Sequence, residues 1–124
     1  MKEELLALVE QHGTPLFILD HNKIQENYRA FKQQLPRVQC YYAVKANSTQ
    51  QIIETLFKEG SSFDVASYNE FMQVYQYIKH FDKKDKKHFV WDKIIFSNTI
   101  KDKTTLSKIK QYKPLMTYDN SDEL

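Results

Sequence analysis

Two side chains in this sequence have the type and spacing for covalent chemistry. Lys45 follows the apolar run 38–44, and Asp64 lies within Ser62-Phe63-Asp64-Val65-Ala66-Ser67. An ammonium closing a strand of core residues is unfavourable unless it reaches water or is used. Strand alternation puts Lys45 on one face with Ala43, Tyr41 and Gln39, and Val38, Cys40, Tyr42 and Val44 on the other. The same alternation groups Asp64 with Ser62 and Ala66, facing away from Phe63 and Val65. With the bulky faces turned to helices, the lysine and the carboxylate share one mouth at the carboxyl ends of two strands. Barrel enzymes place their chemistry there. A lysine withdrawn from water loses part of its preference for the charged form, and the neutral amine is the nucleophile that forms a Schiff base with an aldehyde. A lysine that snorkels at a strand end accounts for this spacing equally well.

Elements capable of holding that pair follow from periodicity. Leu5, Leu6 and Val9 recur at helical spacing and Gly13 closes a short first helix. Residues 15–20 read as a strand, followed by a helix carrying Ile24, Tyr28 and Phe31 that stops before Pro36. After the strand 38–44, Ser48-Thr49-Gln50-Gln51 reads as a capping box opening a helix with Ile52, Ile53, Leu56 and Phe57 on one face, ended by Gly60. The strand 62–66 runs into a second capping box, Ser67-Tyr68-Asn69-Glu70, which explains Glu70 without catalysis, and the helix buries Phe71, Val74, Tyr75 and Ile78. The mixed-charge run 82–87 reads as a solvated loop within 80–92. A strand at 93–97, a helix marked by Leu106 and Ile109, a strand at 114–118 and the start of a helix at Asn120 complete the pattern. Strands alternating with helices imply βαβ units and a parallel sheet, doubly wound or closed into a barrel.

Composition sets bounds on partners. The 124 residues carry 18 basic and 16 acidic side chains, a formal charge of +2, so no field that would favour nucleic acid arises. The single cysteine, Cys40, reads as a buried thiol in a reducing compartment. The acidic amino terminus and the lack of a long apolar run predict a cytoplasmic protein without a membrane segment. None of the four histidines has a second ligand at metal spacing, so no metal is expected.

Tyr42-Ala43-Val44-Lys45-Ala46-Asn47, then Gly60 and Phe63-Asp64-Val65-Ala66-Ser67 with Glu70, resembles the amino-terminal part of the fold-type III pyridoxal-phosphate decarboxylases, the ornithine, lysine and diaminopimelate decarboxylase relatives. Gly13-Thr14-Pro15-Leu16-Phe17-Ile18-Leu19-Asp20, Ile94-Ile95-Phe96-Ser97-Asn98 and Thr117-Tyr118-Asp119 fit in the same order. The resemblance departs at Thr99, where the family usually has proline, and in the charged segment near Lys84, which is longer than the family's usual turn.

The resemblance implies an α/β fold, the amino-terminal half of a TIM-type (β/α)8 barrel, preceded by a helix and one strand that belong to a β domain in full-length relatives. Residues 1–22 would be that preceding part and 23–124 the first half of the pyridoxal-phosphate-binding barrel. It further implies pyridoxal 5′-phosphate as cofactor, Lys45 as the residue forming the Schiff base, Ala43 packed against the cofactor and Asp64 as a carboxylate beside it. The expected substrate is ornithine or a similar basic amino acid, and full-length relatives are expected to be homodimers. The stacking histidine, the glycine-rich phosphate loop and the acid at the pyridine nitrogen are expected in a second half, so the 124 residues alone are expected not to turn over substrate. Two other expectations fit the same residues: a non-catalytic remnant or regulatory homologue that binds a related subunit, and a racemase-like barrel with a lysine-bearing first strand.

Overall fold

The computed structural model describes residues 2–123. In chain order its elements are α1 (Lys2–His12), α2 (His21–Gln34), β1 (Tyr41–Ala43), α3 (Gln50–Lys58), β2 (Ser62–Val65), α4 (Tyr68–Tyr75), α5 (Lys83–Lys93), β3 (Ile94–Phe96), α6 (Lys103–Ile109) and β4 (Leu115–Met116), with short 3-10 turns at Val44–Ala46, Gln76–Ile78 and Ser121–Glu123. The four strands form one parallel sheet in the order β1-β2-β3-β4, each joined to the next through helix. This is the opening half of a (β/α)8 barrel, as the family resemblance implies; the alternating pattern alone predicts the parallel sheet.

Register decides which side chains meet the helices. Tyr42 pairs with Phe63 and Phe63 with Ile94, while Val65 pairs with Phe96. Phe63, Val65, Ile94 and Phe96 are fully buried, and they pack with Ile53, Phe71, Val74, Ile78, Val90 and Ile109 from the helices. Burying each such side chain contributes roughly 1.5–3 kcal/mol. The bulky faces therefore do meet the helices. Ala43, Asp64, Ile95 and Leu115 pair in one row across all four strands on the opposite face, and all are only half-buried.

Helix docking uses a few polar pins. Asp20 caps α2 by accepting from the Lys23 amide at 3.0 Å. Thr55 gives its one hydroxyl proton to the Gln51 carbonyl at 2.7 Å, so His21 Nδ1 is the donor in the 2.6 Å contact that ties α2 to α3. The Arg29 guanidinium grips Glu59 with two bonds of 2.6 and 2.7 Å.

Several expectations are corrected. Residues 15–20 form no strand, because no described strand lies beside them to share backbone hydrogen bonds, and Phe17 stays 75% exposed. β1 is shorter than 38–44: it ends at Ala43, and Val44 turns into the 3-10 helix. β2, β3 and β4 are likewise trimmed at their ends, and 120–123 closes as a 3-10 turn rather than an α-helix. Cys40 is half-buried rather than buried. The capping box at 48–51 does not form: α3 follows Thr49 with no side-chain cap, and the Asn47 side chain instead holds Thr49 itself, accepting from its amide and hydroxyl at 3.0 and 2.6 Å.

The largest correction is α5, which replaces the expected loop at 82–87. Asp82 caps it, accepting from the Asp85 amide at 2.8 Å. Lys86, Phe89, Val90 and Lys93 then share one less exposed face at spacings of three and four, with Phe89 and Val90 against the core. Reading the charges as one block hides that stripe, since its apolar members come after the charged run.

Candidate functional site

The site begins where β1 gives out. Val44, fully buried, anchors the 3-10 turn Val44–Ala46 from beneath, and Lys45 is its exposed neighbour. Beyond the turn, the Tyr42 hydroxyl donates to the Asn47 carbonyl at 3.0 Å, while the Asn47 side chain holds Thr49. The turn bearing Lys45 is thus pinned on both sides. Burial raises the Tyr42 phenol above its usual pKa, so it serves as a neutral donor. The bonds that Tyr42 and Asn47 make here hold the turn in place.

Lys45 itself makes no hydrogen bond or ion pair among the described residues. It is exposed, so the withdrawal from water expected at sequence level is not found. The strand stops two residues before it, and these four strands wall only one side of the mouth.

Asp64 stands on β2 directly across from Ala43, and Ala43 precedes Lys45 by two positions. Ala43, whose side chain is a single methyl, takes little room beside the carboxylate. The Ser97 hydroxyl donates to Asp64 Oδ1, and Asp64 forms no ion pair among the described residues. Sequence reasoning did not single out Ser97, although its parity gives it away: two residues after Ile95, it returns to the face that holds Asp64.

The turn after β2 is equally well held. Ser67 caps α4 by accepting from the Glu70 amide at 3.2 Å, and Glu70 Oε2 accepts from the Ala66 amide at 2.7 Å. Glu70 is therefore occupied structurally, with its bond one residue earlier than a capping box would place it. Gln39 and Tyr41, on the strand face of Ala43 by parity, are committed at the opposite end of the strands. Gln39 donates to Ser62 Oγ at 2.9 Å and to the Asp92 carbonyl at 2.7 Å, and Tyr41 donates to that carbonyl at 2.8 Å.

These side chains fit the attachment of an aldehyde cofactor: a free primary amine, a small neighbour and a carboxylate whose Oδ2 is open. They do not cradle a phosphate. The chain's two glycines, Gly13 and Gly60, each follow a helix at positive φ, and neither lies in the turns after β1, β2 or β3.

Fold and site together define a half barrel with a lysine and a held carboxylate at the carboxyl ends of its strands. The chain belongs to the pyridoxal-dependent decarboxylase family, whose pyridoxal binding domain matches residues 21–124. Pyridoxal 5′-phosphate is accordingly the cofactor of this family, as expected from the motifs. The chain is 39% identical over 69 residues to the lysine/ornithine decarboxylase of Selenomonas ruminantium, covering 56% of this chain and 18% of the relative. It is 32% identical over 109 residues to the ornithine decarboxylase of Schizosaccharomyces pombe, covering 87% and 23%. The solved lysine/ornithine decarboxylase of Vibrio vulnificus, complexed with cadaverine, superposes with a TM-score of 0.80 at 31% identity, over 98% of this chain and 31% of that one. The chain thus spans about a fifth of the curated relatives' length. Among the described residues, no helix is long and apolar enough to cross a membrane.

Proposed function

We propose that this chain is the cofactor-anchoring part of an amino-acid decarboxylase, with Lys45 as the covalent anchor for pyridoxal 5′-phosphate and Ala43 and Asp64 beside it. The observation that carries the proposal is the pairing of Ala43 with Asp64, which sets the carboxylate across from the strand end that presents Lys45. The relatives named above act on lysine or ornithine, which supports a basic amino acid as substrate, with polyamine or lysine metabolism as the setting.

When bound, the cofactor supplies a conjugated ring that accepts the electron pair left on the α-carbon as carbon dioxide departs. The chain's own residues do the rest of what can be derived. Lys45 must lose one proton to present a nucleophilic Nζ, and its exposure lets water accept that proton. The pinned turn from Val44 to Asn47 fixes where Nζ can reach. Asp64 offers Oδ2 as acceptor to a cationic nitrogen in the mouth, which favours the protonated form of that nitrogen. Ala43 keeps the space between them open.

The match begins at residue 21, the first residue of α2, which supports a division close to the proposed 22/23 boundary; residues 1–22 are assigned to a neighbouring β domain as part of the proposal. Homodimeric assembly of the full-length protein and a cytoplasmic location complete the proposal.

Borohydride reduction of the purified chain with pyridoxal 5′-phosphate, followed by peptide mass spectrometry, tests it. The pyridoxyl group is expected on the peptide containing Lys45 and lost in Lys45→Arg, without release of carbon dioxide from ornithine or lysine by these 124 residues alone. Label spread evenly over surface lysines would refute the anchor.

A further inference from the structure

We infer that Ser97 is a positioning residue for Asp64. The inference rests on the reading of Lys45 and Asp64 proposed above and goes beyond it by naming the group that holds the carboxylate. Three observations converge. Asp64 pairs with Ile95, so Ser97, two residues further along, returns to the Asp64 face. The Ser97 amide donates to the Val65 carbonyl at 3.3 Å, extending the β2–β3 ladder past the last residue of β3 and fixing the serine backbone. Its hydroxyl then donates to Asp64 Oδ1, and no cation or second side chain competes for that carboxylate among the described residues.

Among the described residues one carboxylate oxygen is therefore committed and the other has no partner, which restrains where the carboxylate points. An aspartate on a half-buried strand face with no partner would sample several staggered χ1 rotamers as well as a broad terminal torsion. The serine selects the orientation in which Oδ2 is available to a cationic nitrogen brought into the mouth. Ser97 touches neither Lys45 nor the reacting atoms; it acts through Asp64 alone.

The test compares wild type, Ser97→Ala, Ser97→Thr and Asp64→Asn by two readouts. Three-bond couplings of the Asp64 side chain, measured by NMR on the chain without cofactor, report its rotamer population. The rate of Lys45 pyridoxylation under borohydride trapping reports the consequence. Ser97→Ala is expected to average the Asp64 couplings and slow labelling about tenfold, the factor a charge-assisted hydrogen bond carries. Ser97→Thr, which keeps the hydroxyl, is expected to restore both, and Asp64→Asn to slow labelling in a way that Ser97→Ala does not worsen. Unchanged Asp64 couplings in Ser97→Ala would overturn the inference, as would wild-type labelling rates in Ser97→Ala. If Lys45 is not labelled in wild type, the proposed function fails, and the couplings still decide the role of Ser97.

Discussion

Ala43 and Asp64 face each other across the parallel pair β1–β2, the one a methyl and the other a carboxylate. Because paired residues on neighbouring strands point to the same side, this single register fixes the geometry of the mouth. Lys45 is two residues beyond Ala43, and the buried Val44 between them fixes the turn from which it projects.

The register depends on the bulky face of the sheet. Phe63 is fully buried in the middle of it, so Phe63→Ala is expected to destabilise the domain by about 3–5 kcal/mol. That is a large share of a small domain's stability. Urea unfolding followed by circular dichroism checks it, and a loss below about 1 kcal/mol would show that the core does not depend on this ring.

The turn after Asp64 relies on its cap. Ser67→Ala removes the acceptor for the Glu70 amide and is expected to lower stability by about 0.5–2 kcal/mol. Hydrogen exchange at the first turn of α4 should rise with it. Unchanged protection there would mean that the Glu70 bond to Ala66 suffices alone.

α5 is held by its own cap as well. Asp82→Ala is expected to fray the segment 83–88 and to lower its helicity by NMR secondary shifts, while Asp82→Asn, which keeps an acceptor, largely preserves it. Equal shifts in both variants would contradict the cap.

Acid should weaken the fold through four carboxylates. Hydrogen bonds from Arg29 to Glu59, from Lys58 to Glu54, from Lys101 to Glu123 and from Thr105 to Asp102 each hold the carboxyl below its ordinary pKa. A depressed folded-state pKa gives stability that is present above the unfolded value, about 4, and is lost as pH falls through the folded value. Thermal midpoints should therefore decline below about pH 4, and Glu59→Gln should decline less steeply. A flat profile from pH 5 to pH 2 would contradict these pairings.

Much of this was legible in the sequence, for physical reasons that differ by element. Alternation in Phe63-Asp64-Val65 survives because a strand with one face against helices must alternate, and Ser67 with Glu70 announces a helix start by local hydrogen bonding alone. The termination of β1 was not legible: apolar residues continue through Val44, and only the backbone turn at Val44–Ala46 removes Lys45 from strand parity. Nor was α5, whose apolar stripe begins after four lysines and two aspartates. Residues 15–20 have strand composition, but a strand exists only beside another, and none of the described strands adjoins it. Ser97 was readable in principle from parity with Ile95, once the register with Asp64 is known.

The central claim is that the cofactor mouth lies at the carboxyl ends of β1 to β3. Amide chemical-shift mapping of the labelled chain during titration with pyridoxal 5′-phosphate tests it most directly. The predicted footprint is 43–47, 64–67 and 97–98, diminished in Lys45→Arg. A footprint at Gln39, Ser62 and Asp92, or along the lysines of α5, would contradict it.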